Sequence, residues 1–411
     1  MLAFSIATQA AEPLDFVPDV VPDAQTPDVT RNGSGKVFAE LAINLTNRKS
    51  GDTPPSGDLG LDGYFSRRLN NDWRAVLNAR LDMDLAPSMG ISKDNLGLTL
   101  RELYVSGSAD EWSIDLGRIN LRDGVALGFN PTDVFRSGAL LARRTEDPAR
   151  LRESRLGVVG FRLNRHTGIG QFSALVAPGF NSSKVPSWYD PRWDAVNGER
   201  NQYYLKYTPP SWGGLYTNMV SHRAESGATT WGVNATDNIG QATVAFLEAA
   251  RTRQPGLLDV ALNDGSPPQW RTKFATGVTF ATQSRQTMTL EYDYNGDGLN
   301  RADWNDAWQG ASQDQLTRGF LTAGRRQDPL SRHSLMLMLQ WEQLLGRNDD
   351  LSCLVRASLV DRSRFSWCEW TFRQTQFDWA LNFSHFSGSE RSEYGASEQR
   401  LVVGAKARFY F

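Results

Sequence analysis

Between Trp73 and Leu85 the chain alternates without a break. Odd positions read Trp, Ala, Leu, Ala, Leu, Met, Leu, and even positions read Arg74, Val76, Asn78, Arg80, Asp82, Asp84. A period of two places these two sets on opposite faces of a strand. A soluble sheet rarely carries unbroken apolar residues on one face and so many charges on the other over this length. A tilted strand between lipid and a polar lumen needs about that pattern. It recurs in Phe274/Thr276/Val278/Phe280, Met288/Leu290/Tyr292/Tyr294, Leu335/Leu337/Leu339/Trp341 and Phe377/Trp379/Leu381/Phe383.

Counting such runs predicts strands near 37–45, 61–69, 73–85, 96–107, 112–118, 155–163, 169–177, 201–208, 214–222, 228–235, 241–251, 271–281, 287–295, 333–344, 351–360, 364–373, 376–386 and 399–411. Their connections alternate in length. Tight turns such as Asn70-Asn-Asp72 and Gln374-Thr375 alternate with long stretches such as 119–154, 178–200 and 296–332. The expected fold is all-β: an antiparallel up-and-down transmembrane β-barrel of about 18 strands. Its short turns would be periplasmic and its long loops extracellular. An even strand number puts both termini on the periplasmic side. A sandwich or propeller has no reason to alternate its loop lengths, and no period of 20–50 residues marks a repeat array.

Composition closes off other classes. No apolar run approaches 18 residues, so no helix is expected to span a membrane. A net charge of −2 argues against nucleic acid as a partner. There is no Gly-x-Ser-x-Gly, no His-Glu-x-x-His and no Walker or Rossmann glycine pattern. The four histidines lie in unrelated segments. No enzyme and no cofactor are expected, and a rim hydrolase with a Ser/His or Asp/His pair is the weakest alternative.

Three segments are expected. Residues 1–11, with apolar Leu2–Ala7 before Thr8-Gln9-Ala10, read as a signal-peptide remnant without its basic part. Residues 12–35 hold four Pro and five Asp or Glu and read as an acidic periplasmic arm. Residues 36–411 form the barrel, leaving too little chain before it for the plug of an energised transporter. Cys353 and Cys368 lie on two arms of one hairpin, so a cross-strand disulfide and two separate thiols both remain open. Asp293-Tyr-Asn295-Gly-Asp297 matches half of a calcium loop, but Trp304 stands where the bidentate Glu would be, so a polar turn is the preferred reading.

The last run, Leu401-Val-Val-Gly-Ala-Lys-Ala-Arg-Phe-Tyr-Phe411, resembles the closing strand of a bacterial outer-membrane β-barrel. Phe411 is similar to the terminal aromatic signal read by the barrel-insertion machinery. The stretch from Gly117-Arg118 through Gly124 and Gly128 to Asn130-Pro131-Thr132-Asp133 loses period two and is similar to segments of porin-like outer-membrane proteins. The architecture also looks like that of alginate exporters and substrate-specific porins. This resemblance implies a Gram-negative outer membrane, with lipid and lipopolysaccharide around the barrel. It also implies that residues 119–154 fold inward and set the width and charge of a pore.

Eight Arg and five Asp or Glu lie between Arg118 and Arg155. Arg118, Arg122, Arg136, Arg143 and Arg144, with Arg74 and Arg80 on the wall, would create a positive zone that favours anions. The alternative is that these arginines pair with Asp82, Asp84, Asp115, Asp123 and Asp133 and stiffen the barrel. The Asn130–Asp133 stretch favours a turn or a helix start, with Thr132 or Asp133 as cap. The expected function is passive diffusion or export of a hydrophilic, anionic solute or polysaccharide. A non-conducting attachment or assembly scaffold is the second reading.

Overall fold

The computed structural model describes residues 33–52, 54–85, 96–140, 145–181, 189, 191–346 and 348–411. The expected signal remnant, most of the acidic arm, and Arg143 and Arg144 lie outside them. Eighteen strands form one sheet: β1 Gly33–Arg48, β2 Ser56–Arg68, β3 Trp73–Leu85, β4 Leu96–Ala109, β5 Trp112–Ile119, β6 Val158–Thr167, β7 Gly170–Ala177, β8 Gln202–Thr208, β9 Tyr216–Ala224, β10 Thr229–Ile239, β11 Thr243–Gln254, β12 Gln269–Ala281, β13 Gln286–Asn295, β14 His333–Glu342, β15 Asp349–Ser358, β16 Arg364–Arg373, β17 Phe377–Ser387 and β18 Gln399–Tyr410. Each pairs antiparallel with its sequence neighbours. β1 pairs with β18 from Phe38↔Tyr410 to Arg48↔Gln399, which closes the sheet and leaves it no edge. The Phe411 N–H donates to the Val37 carbonyl at 3.0 Å and completes the seam.

The faces follow the sequence alternation. Leu41, Ile43, Leu45, Leu103, Leu247, Leu290 and Phe383 stand outward and are exposed, whereas Glu40, Asp62, Arg80, Glu248 and Glu291 face inward and are buried. A large apolar exterior with a polar interior inverts the arrangement of a soluble protein and is stable only against lipid. Trp73, Trp112, Trp231 and Trp270 project from the outer face near strand ends, as an interfacial girdle requires. Tyr64 and Tyr410 lie in the inward register, and the Tyr410 hydroxyl donates to Asp378 at 2.6 Å.

Among the sequence boundaries that shift, three have a clear cause. The barrel begins at Gly33, because Gly33, Ser34 and Gly35 pair with Arg67, Ser66 and Phe65. β2 starts five residues early, since Ser56–Gly60 pair with Asn44–Glu40 despite their weak patterning. β6 begins at Val158 and not at Arg155, because Arg155 is drawn into the lumen by Asp133. The long connections all lie at one rim and carry short helices: α1 Pro148–Glu153, α2 Asp194–Asn197, α3 Leu257–Leu262, α4 Arg301–Asp303 and α5 Gln313–Arg326. α5 packs on α3 through Leu316, Ala323, Leu257 and Ala261 around the fully buried Trp308. No described helix is long and apolar enough to cross a membrane.

Candidate functional site

The described residues of 120–157, between β5 and β6, leave their own wall and cross the lumen to the opposite one. Two wall glutamates, both fully buried, receive it. Glu248 on β11 accepts the N–H groups of Val125 at 2.9 Å, Ala126 at 3.2 Å and Thr132 at 2.8 Å. Glu291 on β13 accepts those of Leu127 at 2.8 Å, and of Gly128 and Phe129 at 2.9 Å. Six backbone donors that have left the sheet thus find charged acceptors, which an inward loop needs once it loses water. The glycines make this approach possible. A Cβ on Gly124 would lie 2.6 Å from a Glu248 oxygen, and one on Gly128 would lie 2.8 Å from the Met336 sulfur.

Further ties hold the segment. Arg155 and Asp133, both buried, form a two-pronged pair at 2.6 and 3.1 Å. Arg150 on α1 reaches Glu369 on β16 at 2.6 Å. Asp123 accepts from Tyr204 and from the Lys206 ammonium at 2.8 Å. Burial would raise the Asp123 carboxyl, but Lys206 and Tyr204 overcome it and hold the group below the ordinary carboxylate range. α1 starts with Asp147 accepting the Ala149 N–H and with Pro148 at its first position. Asn130–Asp133 forms a turn and not a helix: the Asp133 N–H donates to the Asn130 carbonyl at 3.2 Å. Thr132 and Asp133 therefore cap nothing and serve as the contacts to Glu248 and Arg155.

The arginines expected to form a positive zone are not gathered into one. Arg80 is buried against Glu40 at 2.8 Å, Asp82 at 2.6 Å and Asp62 at 3.4 Å. Arg118 donates to the carbonyls of Leu100 and Pro191 at 2.7 Å and of Arg192 at 2.8 Å, and stacks on Trp193. Arg136 binds the Asn130 carbonyl and Asp328, over the Phe129 ring. Arg122 is partly exposed, 3.7 Å from Glu153. Arg74 lies on the wall beside Arg68 and Ser106, with no carboxylate within ion-pair distance among the described residues. Of these, Arg80 meets Asp82 from the expected acids, Arg136 meets Asp328 and Arg122 meets Glu153, while Arg118 binds carbonyls.

That network includes residues the sequence reading did not single out. Glu40 also receives Arg408 at 2.6 Å, Asp62 receives Arg101 at 2.8 Å, and Glu369 receives Lys406 at 3.0 Å. Alternating charge therefore runs from β16 over β18, β1, β2 and β3 to β4, across the seam where the barrel closes. Glu248 and Glu291 were missed as well. Their signal is an acid in an otherwise uncharged inward row for Glu248, Phe246-x-Glu248-x-Ala250, and an acid pair for Glu291, Thr289-x-Glu291-x-Asp293.

The half calcium loop binds its own chain. The Lys273 ammonium sits 2.7 Å from Asp297 and Arg271 sits 3.4 Å from it, so protein cations occupy the place of a metal. Asn295 accepts the Asp297 N–H, and Asp293 accepts from Ser334 elsewhere on the wall. No group of metal-ligating side chains occurs among the described residues. Cys353 and Cys368 stand directly opposite on β15 and β16, with Cα atoms 4.1 Å apart, and are disulfide-bonded on the outward face.

A closed eighteen-stranded barrel with a lipid-compatible exterior, long loops at one rim and one loop folded inward has the architecture of a transmembrane β-barrel. Solved structures share this fold. Pseudomonas aeruginosa OccK8 (OprE) matches with a TM-score of 0.56 at 10% identity, over 92% of this chain and 98% of that one. Acinetobacter baumannii OccAB4 matches with 0.56 at 8% identity, over 93% and 99%. Pseudomonas aeruginosa OccK11 (OpdR) matches with 0.54 at 10% identity, over 92% and 96%. At such identities the likeness is one of fold. No family model matches the chain, and no curated protein matches it in sequence.

Proposed function

We propose that the protein is an outer-membrane channel for passive diffusion of a hydrophilic solute, with anions favoured. The observation that supports this reading is an asymmetry within the lumen's ion pairs. Arg150 is 32% exposed where its partner Glu369 is 3% exposed, and Arg408 is 22% exposed where Glu40 is 7% exposed. Arg162, Lys206 and Arg271 are likewise more open than Asp115, Asp123 and Asp297. In these five pairs the carboxylate stands behind and the cation in front, whereas Arg80 lies behind Asp82. A passing ion meets guanidinium and ammonium groups at close range in a confined, low-dielectric space, where fixed charge acts strongly. Segment 120–157 is the part that narrows the passage, and a polysaccharide or a small anion would meet the same wall. Phe411 is proposed as the signal to the insertion machinery.

The test is single-channel conductance of refolded protein in a planar bilayer, with the reversal potential under a KCl gradient. Anion selectivity that falls in Arg150→Gln and Arg408→Gln supports the reading. Cation selectivity overturns the anion preference. Absence of conductance even after deletion of 125–132 points to a scaffold instead, a reading favoured by the burial of Phe129 and Ala126 inside the barrel.

A further inference from the structure

Three arginines project outward from the barrel wall near its long-loop rim. Arg223 on β9 and Arg251 and Arg253 on β11 are all exposed and share the register of the lipid-facing residues. Cross-strand pairing fixes their spacing. Arg223 is opposite Thr229, and Thr229 is opposite Arg253. Arg223 and Arg253 are therefore two strands apart, about 10 Å, and Arg251 lies about 7 Å from Arg253 along one strand. Trp231 is opposite Arg251, Trp270 is opposite Arg253, and the Arg251 guanidinium is 6.0 Å from the Trp270 ring.

None of the three has a carboxylate within ion-pair distance among the described residues. Arg253 makes one long hydrogen bond, 3.5 Å to the Pro268 carbonyl. The nearest acid in sequence, Glu225, is engaged by Asn201 and Tyr203 at 3.1 Å. Unpaired arginines on a lipid face are costly at mid-depth and cost little at the interface. Their placement with two tryptophans puts them at headgroup level, where the aliphatic stem lies on apolar wall and the guanidinium reaches upward. Three like charges this close together favour an anion among them, and guanidinium matches phosphate with paired donors.

A second feature lies directly below. A groove of 1320 Å³ runs down the outer face from Trp231 and Arg251 towards Trp112 near the short-turn rim. Ala174, Leu205, Met219, Ser221 and Ala249 line it, and of the three arginines Arg251 reaches its upper end. A cationic head site above an apolar trough has the shape of a phosphorylated lipid. We propose that Arg223, Arg251 and Arg253 bind the phosphates of an outer-leaflet glycolipid whose acyl chains lie in this groove. The site is separate from the lumen and holds whether or not the barrel conducts.

The test compares refolded wild type with the R223Q/R251Q/R253Q variant by native mass spectrometry. Each is incubated with bisphosphorylated lipid A, with its dephosphorylated form, and with phosphatidylcholine. Wild type should retain the bisphosphorylated lipid at least tenfold more than the other two, and the variant should lose that preference. Excess inorganic phosphate should displace little, since the groove contributes through the chains. Equal retention of all three lipids by wild type, or undiminished preference in the variant, overturns the proposal. So does a mass spectrum in which the patch binds a second copy of the chain and not lipid. If the triple variant does not fold, R251Q and R253Q are measured singly, each expected to lower retention at least threefold.

Discussion

Glu248 holds Thr132 twice, with the Thr132 backbone N–H and its hydroxyl both 2.8 Å from the same carboxylate oxygen, Oε1. A charged hydrogen bond contributes about 1.5–3 kcal/mol, and Glu248 and Glu291 together serve six backbone donors. The E248A/E291A variant should therefore release residues 125–132. Amide exchange there should accelerate by roughly a hundredfold or more, as a loss near 3 kcal/mol implies, and conductance should rise severalfold. Glutamine replacements keep one acceptor oxygen and should fall between. Unchanged exchange in the alanine variant would refute the role of these two acids as anchors.

Arg155 and Asp133 are each only 2% exposed at their side chains. Removing one partner of such a pair strands a buried charge and costs about 3–5 kcal/mol. Asp133→Asn should lower the urea midpoint of the refolded barrel accordingly. Replacing both residues by apolar ones of similar size should cost much less. A midpoint equal to wild type in Asp133→Asn would show that water enters and solvates Arg155.

The walls were legible in the sequence because lipid on one side and polar lumen on the other impose alternation residue by residue. Trp73–Leu85 was delimited to the residue. The lumen's contents were not legible, since they depend on which strands face each other across the barrel. Arg155 continued an alternating run and read as strand, yet Asp133 claims it from another part of the loop. Arg80 and Arg136 read as pore-facing charge; strand register brings Glu40 and Asp62 beside Arg80, and the meeting of two distant loops brings Asp328 to Arg136. α5 did leave a local trace: Ser312 and Gln315 form a capping box, and Leu316, Phe320 and Ala323 follow at helical spacing.

The Cys353–Cys368 bond joins strands already paired, and it lies on the outer face away from every lumen contact described. It closes a loop of sequence separation 15, for which chain-entropy reasoning allows at most about 3 kcal/mol. The C353S/C368S variant should lose stability up to that amount in urea while keeping wild-type conductance and selectivity. A change in selectivity would mean that the β15–β16 hairpin, and not only its outer face, shapes the passage.

Asp328 makes docking of the α5 loop sensitive to acid. Burial opposes its ionisation, but Lys273 at 2.6 Å and the Arg136 guanidinium prevail, so its carboxyl is held below the usual range. A depressed folded pKa gives stability that is fully present above the unfolded carboxylate value, about 3.9. That stability is lost as pH falls through the lower folded value. Glu393, which accepts the Leu330 and Ser331 N–H groups, behaves in reverse: burial raises its carboxyl, so its ionisation costs stability as pH rises. Amide protection across Gln313–Arg326 should therefore persist at pH 5 and drop below pH about 4. Asp328→Asn should lower protection already at neutral pH and flatten the acid limb, while Glu393→Gln should leave that limb in place. An acid limb retained in Asp328→Asn would assign the sensitivity to another carboxylate.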